Sequence, residues 1–213
     1  MASYAQLLGR RVPANDLDPA EVGEYTRFII DGSRRLSETL DAMLTAFEQR
    51  ARATAFVAVD MEDLVQQILA KLASRIHGAG AEVTVGSLPV VRGDPVQLAL
   101  LVEHLLSNAL KFHAEGVPPR VTVSADLDDQ QWSLRVADQG IGVPEGAEER
   151  VFDAFVKLHT DERYPGTGMG LALCRSIARH HGGNIRLERP GSGGTVLVVN
   201  LPRSPQMPGR SAA

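Results

Sequence analysis

The stretch DPVQLALLVEHLLSNALKF, residues 94–112, predicts a long helix that is apolar over most of its surface. Its Asp-Pro start supplies an N-cap and a favourable first helical residue. Three polar side chains interrupt the apolar body at intervals of four and three residues: His104, Asn108 and Lys111. This spacing places all three on one face of the helix.

The polar face of this helix has two interpretations. Asn108 offers a neutral oxygen to Mg²⁺ and Lys111 offers a positive charge to phosphate, so the face is a candidate site for a metal-bound polyphosphate. A polar stripe is also expected on any helix at a domain surface. The helix alone therefore does not decide between a binding site and a solvated face.

A second cluster, Asp-Gln-Gly-Ile-Gly at residues 138–142, follows a predicted strand. Its two glycines allow the backbone to approach a planar ligand closely. The Asp138 carboxylate can accept a hydrogen bond from the exocyclic amine of adenine, whereas it would repel the carbonyl that guanine presents at that position. Because a strand that ends in Asp and Gly is also an ordinary turn, a purely structural interpretation stays open.

A third cluster, Gly-Thr-Gly-Met-Gly at residues 166–170, ends where a helix is predicted to begin. Free backbone amides and the positive end of the helix dipole converge there, which favours a phosphate. The cluster lacks the Gly-Lys-Ser/Thr ending of a P-loop, and the parallel-strand context of a dinucleotide fold is not predicted around it. A flexible helix entry is the alternative interpretation.

The remaining pattern predicts an α+β fold. Apolar periodicity and turn residues predict strands in hairpin-like pairs, which favours a mixed or antiparallel sheet with helices on one face. The predicted helices cover residues 61–76, 94–112 and 170–181, and the predicted strands cover residues 82–85, 90–92, 120–125, 132–137, 185–188 and 195–201.

Residues 18–50 predict one long amphipathic helix, because no proline occurs after Pro19 and apolar residues recur at helical spacing. Residues 4–8 look like the end of an earlier helix, and residues 9–17 like the connecting turn. So long an apolar stripe cannot be buried by one short antiparallel neighbour, which favours a dimeric bundle and a homodimer through residues 1–50. A helix packed only on its own domain is the alternative.

Composition narrows the classes of partner. A formal charge of -4 provides no broad positive field for nucleic acid. No apolar run of about 18 residues occurs, so no membrane contact by the chain is expected. The single cysteine, Cys174, lies in a predicted helix without a metal-spaced companion, which fits a cytoplasmic protein. Trp132 and Cys174 are expected in the core, and His180 and His181 are explained by the helix dipole and solvent.

In this order and spacing, the clusters resemble the sequence boxes of sensor histidine kinases. Residues 105–112 resemble their asparagine box, residues 138–142 their first glycine box, and residues 166–174 their second glycine box. The sequence Val-Phe-Asp-Ala-Phe at residues 151–155 resembles their phenylalanine box. Gly194-Thr195 resembles the strand that completes their adenine pocket.

The resemblance implies a Bergerat fold, the α/β sandwich that these kinases share with gyrase-type ATPases. Residues 56–202 are then the ATP-binding catalytic domain, in the phytochrome-like branch of the family. Residues 1–52 resemble a truncated dimerisation and histidine-phosphotransfer hairpin, expected to dimerise as a bundle. Residues 203–213, rich in Pro, Ser and Arg, are expected to be a disordered tail.

Carried over position by position, the resemblance implies ATP and Mg²⁺ as cofactors. It makes Asn108 the Mg²⁺ ligand, Lys111 a phosphate contact and Asp138 the selector of adenine. His104 joins Asn108 and Lys111 as a catalytic candidate, although most of these kinases carry Asn at its position, and its role stays open between orienting water and acting as a base. The implied backbone cradle and further ATP contacts are Gly140, Gly142, Lys157, Gly166, Thr167, Gly168, Met169, Gly170, Leu171 and Thr195.

The stretch between Phe155 and Gly166 resembles the ATP lid, with Lys157 where an arginine is more usual. The family's phosphoacceptor is a histidine on the first hairpin helix, but none of the six histidines, at positions 77, 104, 113, 159, 180 and 181, has that context. The resemblance thus implies transfer to an acceptor outside this chain, followed by a response-regulator receiver domain.

Two other functions remain as alternatives. An anti-sigma-factor-type serine kinase shares the fold but lacks a long leading hairpin, so residues 18–50 argue against it. A non-catalytic phosphotransfer or scaffold protein would have a degenerate pocket, and the intact Asn108, Asp138 and second glycine box argue against that.

Overall fold

The computed structural model describes residues 22–27, 30–32, 56–159, 164, 166–191 and 193–203. The chain divides into two compact units, Met1–Phe47 and Glu48–Ala213. In the first unit the described residues, 22–27 and 30–32, are helical. The rest of the predicted hairpin and residues 204–213 of the predicted tail lie outside the described residues.

The second unit consists of short strands and helices in alternation. Its strands are β1 (Val57–Asp60), β2 (Glu82–Val85), β3 (Val90–Gly93), β4 (Arg120–Leu127), β5 (Gln131–Asp138), β6 (Asn184–Glu188) and β7 (Thr195–Pro202). Its helices are α1 (Met61–Lys71), α2 (Ala73–Gly78), α3 (Pro95–Lys111) and α4 (Gly170–His180), with a 3-10 turn at Arg150–Phe152.

Two elements differ from the predictions. The helix predicted over residues 61–76 is broken at Leu72, whose buried side chain lies at the junction of α1 and α2. No glycine or proline marks this break in the sequence. Strand β1 was not predicted; it is held by antiparallel pairing with β3, which lies far along the chain.

Five strands form a mixed sheet in the order β2-β4-β5-β7-β6. Strand β2 runs parallel to β4, and the other neighbours are antiparallel. Strands β1 and β3 form a separate antiparallel ribbon. The prediction of a mixed sheet is confirmed.

The register of β5 and β7 brings their buried side chains onto one face of the sheet. Trp132, Leu134 and Val136 lie opposite Leu201, Val199 and Leu197, and the next pair along is Asp138 with Thr195. Paired residues in neighbouring strands point to the same face. Helices α3 and α4 pack on this sheet, so the apolar face forms the core and ends at a polar pair.

The predictions for the core are confirmed for Trp132 and Cys174, which are both buried. The prediction that solvent explains His181 is wrong, because this side chain is fully buried and stacks on Phe56 with ring centroids 4.7 Å apart. The amide of Asp94 donates to His181 Nε2 at 3.1 Å, so Nδ1 carries the proton and donates to the Ile177 carbonyl at 2.9 Å. Burial lowers the pKa of His181.

Within the described part of the chain, no helix is long and apolar enough to cross a membrane.

Candidate functional site

A cavity of about 380 Å³ opens between α3, α4 and the ends of β5 and β7. This volume falls in the range of small-molecule sites, roughly 300–1,000 Å³. Most residues proposed from sequence line it: His104, Asn108, Lys111, Asp138, Gly142, Lys157, Gly166, Thr167, Gly168, Gly170, Leu171 and Thr195. Clusters as far apart in sequence as His104 and Thr195 therefore meet at one cavity.

Gly140 and Met169 do not line the cavity. A Cβ on Gly140 would lie 2.1 Å from the Phe112 carbonyl oxygen, so glycine is needed there for the loop to pack against the end of α3. Met169 is the N-cap residue of α4, and its amide donates to Thr167 Oγ1 at 3.4 Å. Both residues shape the loops that line the cavity.

Asp138 lines the cavity beside Thr195, its partner in the register of β5 and β7. Burial raises the pKa of its carboxyl to about 6, although hydrogen bonds from the Gly140 amide, at 2.8 Å, and from the backbone of Thr195 favour ionisation. At neutral pH most molecules therefore carry an ionised carboxylate. A buried carboxylate is a strong acceptor for an amine hydrogen.

The polar face of α3 lines the cavity as its spacing predicted. The imidazole of His104 lies against the first residue of α4, since a Cβ on Gly170 would be 3.3 Å from His104 Nδ1. Burial is the main cause that lowers the pKa of His104; Lys71 lowers it further and Glu103 opposes both. A neutral imidazole is therefore favoured beside the N-terminus of α4.

Positive charge collects where Lys111, at the end of α3, lines the cavity. Burial lowers the pKa of Lys111, and the charges of Lys157 and Arg75 lower it further. Lys111 Nζ lies 4.3 Å from the centre of the Phe112 ring, and a Cβ on Gly166 would be only 3.0 Å from the same Nζ atom. Among the described residues, Lys111, Lys157 and Arg75 have no carboxylate within 4.0 Å. This part of the cavity is suited to a polyanion.

The predicted ATP lid, between Phe155 and Gly166, begins where a backbone hydrogen bond joins two loops. The amide of Phe155 donates to the Gly168 carbonyl at 3.1 Å. Beyond it, His159 Nε2 donates to the Gly142 carbonyl at 3.3 Å, and the Tyr164 hydroxyl donates to the His113 carbonyl at 2.9 Å. Residues 160–163 and 165 lie outside the described part.

An aromatic wall forms one side of the cavity. Phe112 and Tyr164 have ring centroids 5.4 Å apart, and His159 lies 6.0 Å from each of them. Apolar rings at this spacing can pack against a planar ligand. The wall completes a cavity that is lined by groups of both signs of charge.

Arg75 also lines the cavity, and the sequence patterns did not single it out. It belongs to α2, outside all the clusters. No local motif marked it, since its place depends on a hydrogen bond to Ser107 of α3, which lies 32 residues further along the chain.

The side chains present limit how a metal ion could be bound in the cavity. Within the described ranges no three His, Cys, Asp or Glu side chains come together as a metal site. A divalent cation here would depend on the amide oxygen of Asn108, on the ligand's own phosphate oxygens and on water, which is a donor set of hard oxygens that suits Mg²⁺.

Comparison with protein families identifies the fold. The sequence profile described as "Histidine kinase-, DNA gyrase B-, and HSP90-like ATPase" matches residues 93–205, which include α3, Asp138 and both glycine clusters. The chain belongs to this ATPase family. The prediction of a Bergerat-type ATPase fold is thereby confirmed, and every cavity-lining residue except Arg75 falls within the part of the chain that the ATPase profile matches.

Relatives of this ATPase domain include sensor kinases. The chain is 35% identical over 196 residues to the phytochrome-like protein Cph1 of Synechocystis sp., an alignment that covers 92% of this chain and 26% of Cph1. It is 32% identical over 183 residues to the signal transduction histidine-protein kinase AfsQ2 of Streptomyces coelicolor, covering 85% of this chain and 33% of AfsQ2. The chain thus spans about a quarter to a third of these relatives.

Solved structures of similar shape are histidine kinase domains. The mycobacterial sensor histidine kinase MprB is 30% identical with a TM-score of 0.61, and the match covers 71% of this chain and 99% of that chain. The ATP-binding domain of PrrB from Mycobacterium tuberculosis is 31% identical with a TM-score of 0.56, with the same coverage of 71% and 99%. The histidine kinase ATPase fold is shared across these proteins.

Proposed function

We propose that residues 56–202 bind Mg·ATP and transfer its γ-phosphate to a histidine, as the catalytic domain of a two-component sensor kinase. One observation carries the proposal. A single cavity is lined both by the Asp138 carboxylate and by three cations, Arg75, Lys111 and Lys157. Adenosine triphosphate has the matching polarity, with an amine donor on its base and a polyanion at its far end.

At the base end, Asp138 is proposed to accept a hydrogen bond from the adenine amine. Thr195 lies opposite it in the register of β5 and β7, and Gly142 lines the cavity beside them. The aromatic wall is proposed to pack against the base. Guanine, with a carbonyl in place of the amine, is expected to bind more weakly.

At the phosphate end, Lys111 and Lys157 are proposed to neutralise phosphate charge, aided by the free amides at the start of α4. Asn108 is proposed to hold Mg²⁺, which when bound would neutralise charge on the phosphate oxygens. Further backbone contacts are proposed for Gly166, Thr167, Gly168, Gly170 and Leu171, and the neutral His104 is proposed to orient a reacting group.

The proposed reaction is an in-line phosphoryl transfer. The bond between the γ-phosphorus and its bridging oxygen breaks, ADP leaves, and a phosphorus–nitrogen bond forms on the acceptor imidazole, whose other nitrogen then loses a proton. Catalysis of this step depends mainly on positioning and charge stabilisation. Groups fixed on α3 and at the start of α4 would supply both.

The acceptor is proposed to be a histidine outside the 213 residues, because none of the six histidines lies in residues 1–52. In this proposal residues 1–52 are part of a dimerisation and phosphotransfer hairpin, and residues 203–213 are a tail. A homodimer in the cytoplasm, with a response-regulator receiver domain as the next phosphate acceptor, completes the proposal.

The test combines the chain with a separate helical hairpin that contains an acceptor box. ATP labelled in its γ-phosphate is added with Mg²⁺. The labelled products are then distinguished by whether the label survives treatment with acid or with base. Acid-labile, base-stable label on the hairpin is expected, and none on the chain alone. Asp138→Asn should reduce the labelling strongly.

Acid-stable label on serine would contradict the proposal in favour of a serine kinase. Stoichiometric phosphohistidine on the chain alone, mapped to any of its six histidines, would contradict the proposal of an external acceptor.

A further inference from the structure

Arg75 reaches from α2 to the polar face of α3. Its Nη1 donates to Ser107 Oγ at 2.6 Å. Ser107 directly precedes Asn108, and Lys111 lies one turn further along the same helix. The guanidinium is therefore held where the proposed metal ligand and the proposed phosphate contact meet.

The charges around Arg75 differ from those around its neighbour Lys71. Lys71 Nζ pairs with Glu103 at 2.6 Å, so α1 and α3 are joined by opposite charges. Arg75 has no such partner among the residues the structure describes, and its charge instead adds to those of Lys111 and Lys157, which line the same cavity. Three like charges at one place repel each other, and an anion between them would remove that repulsion.

We propose that Arg75 is a third phosphate-contacting residue of this site, positioned by Ser107 and lying outside all the sequence motifs. The inference rests on the proposed function and names the ligand as a nucleoside polyphosphate. A guanidinium has five N–H donors in a planar fork, so the bond to Ser107 leaves others for phosphate oxygens. Lys111 and Lys157 act as point charges, whereas Arg75 adds directed hydrogen bonds.

The position of Arg75 makes its contribution dependent on ligand charge. It should favour ligands with more phosphates, since its charge adds to those of Lys111 and Lys157, the proposed phosphate contacts. Its side chain belongs to an exposed segment, so water competes for part of its charge. We therefore expect Arg75 to contribute a binding free energy at the lower end of the range for charge-assisted hydrogen bonds.

Calorimetric titration of the full chain with adenosine, ADP and ATP at fixed Mg²⁺ tests the inference. Arg75→Gln should weaken ATP binding about tenfold and ADP binding less, with adenosine unchanged. Arg75→Lys should recover part of the loss, because it keeps the charge without the fork. Ser107→Ala should give a smaller loss of the same kind.

Arg120→Gln is the matched control, because it removes the same charge from an exposed side chain on β4 that does not line the cavity. It should leave all three affinities unchanged. Equal ATP affinity in Arg75→Gln and the unaltered chain would overturn the inference while leaving the proposed function intact. Equal losses for adenosine and ATP would assign Arg75 to folding and also overturn it. If the unaltered chain bound no ATP, the proposed function and the inference would both fail.

Discussion

Gly194 lies against Asp138 so closely that a Cβ on Gly194 would stand 2.0 Å from the Asp138 carbonyl oxygen. Its φ of 83° is also a conformation that favours glycine. Gly194 precedes β7 just where that strand pairs with the end of β5. The position of the carboxylate therefore depends on a glycine in another loop.

Replacing Gly194 by Ala is expected to destabilise the domain by about 2–4 kcal/mol, because both the contact and the φ value are unfavourable for a side chain. Urea unfolding measures the loss, and ATP affinity should fall as β5 and β7 shift. Gly191→Ala is the control, since no atom lies within 4 Å of a Cβ there. Similar unfolding midpoints for the two variants would refute the role of Gly194.

Binding of adenosine is expected to weaken as the pH falls below about 6, the pKa to which burial raises Asp138. The reason is that a protonated carboxyl loses the charge that strengthens its bond to the adenine amine. Adenosine is the ligand of choice because it has no phosphate that titrates in this range. Asp138→Asn should bind adenosine more weakly at pH 7.5, and its affinity should not change with pH. If the affinities of both proteins fell equally with pH, Asp138 would not be the group that causes the fall.

The same pKa predicts a change in stability without ligand. Because the folded-state pKa is raised above the ordinary value of 3.8, the folded protein binds more protons between these values, and its free energy of unfolding decreases as the pH rises through this window. The free-energy cost of ionising this buried carboxyl is absent below the ordinary pKa and is fully present above a pH of about 6. Asp138→Asn should therefore gain stability relative to the unaltered chain when the pH is raised. The measurement is the difference in free energy of unfolding between the two proteins, taken at pH 7.5 and again at pH 4.

Replacing Asn108 by Asp should change the Mg²⁺ dependence of ATP binding more than the affinity for adenosine. An added carboxylate changes the charge of the proposed metal site but does not touch the base end of the cavity. ATP titrations at several Mg²⁺ concentrations, with adenosine as the metal-independent reference, separate the two effects. The metal role is wrong if both titrations shift equally.

Cys174 should be unreactive in the folded protein. Its side chain is fully buried, and burial raises the pKa of the thiol to about 12, so almost no thiolate exists at pH 8. A chromogenic disulfide reagent should label it only after denaturant is added. Rapid stoichiometric labelling without denaturant would show that α4 opens readily.

The apolar stripe of residues 18–50 predicts a dimer in solution, because it exceeds what one chain's hairpin can bury. Light scattering on the full chain should give twice the mass of one chain. A single-chain mass at high concentration would contradict the dimer.

Several local features followed from the sequence because short-range interactions determine them. Asp94 was predicted as an N-cap, and its Oδ1 accepts from the amides of Val96 at 2.9 Å and Gln97 at 3.2 Å. The spacing of His104, Asn108 and Lys111 placed them on one side of α3, and all three line the cavity. The start of α4 at Gly170 was predicted from its glycine cluster.

Other features depend on contacts between distant parts of the chain, and only the tertiary structure decided them. His181 is buried because Phe56 stacks on it and the Asp94 amide donates to its ring, although its place at a helix end suggested solvent. Arg75 lines the cavity because α1, directly before α2, packs on α3 and because the guanidinium donates to Ser107.

The sequence by itself determined the polar and glycine clusters and their order, since helix periodicity, capping and backbone freedom act over a few residues. The tertiary structure decided that β5 and β7 pair so that Asp138 stands opposite Thr195, and that Arg75, Lys111 and Lys157 line the same cavity. The physical reason is that strand register and helix packing depend on the total apolar area buried between distant segments, which no short stretch of sequence contains.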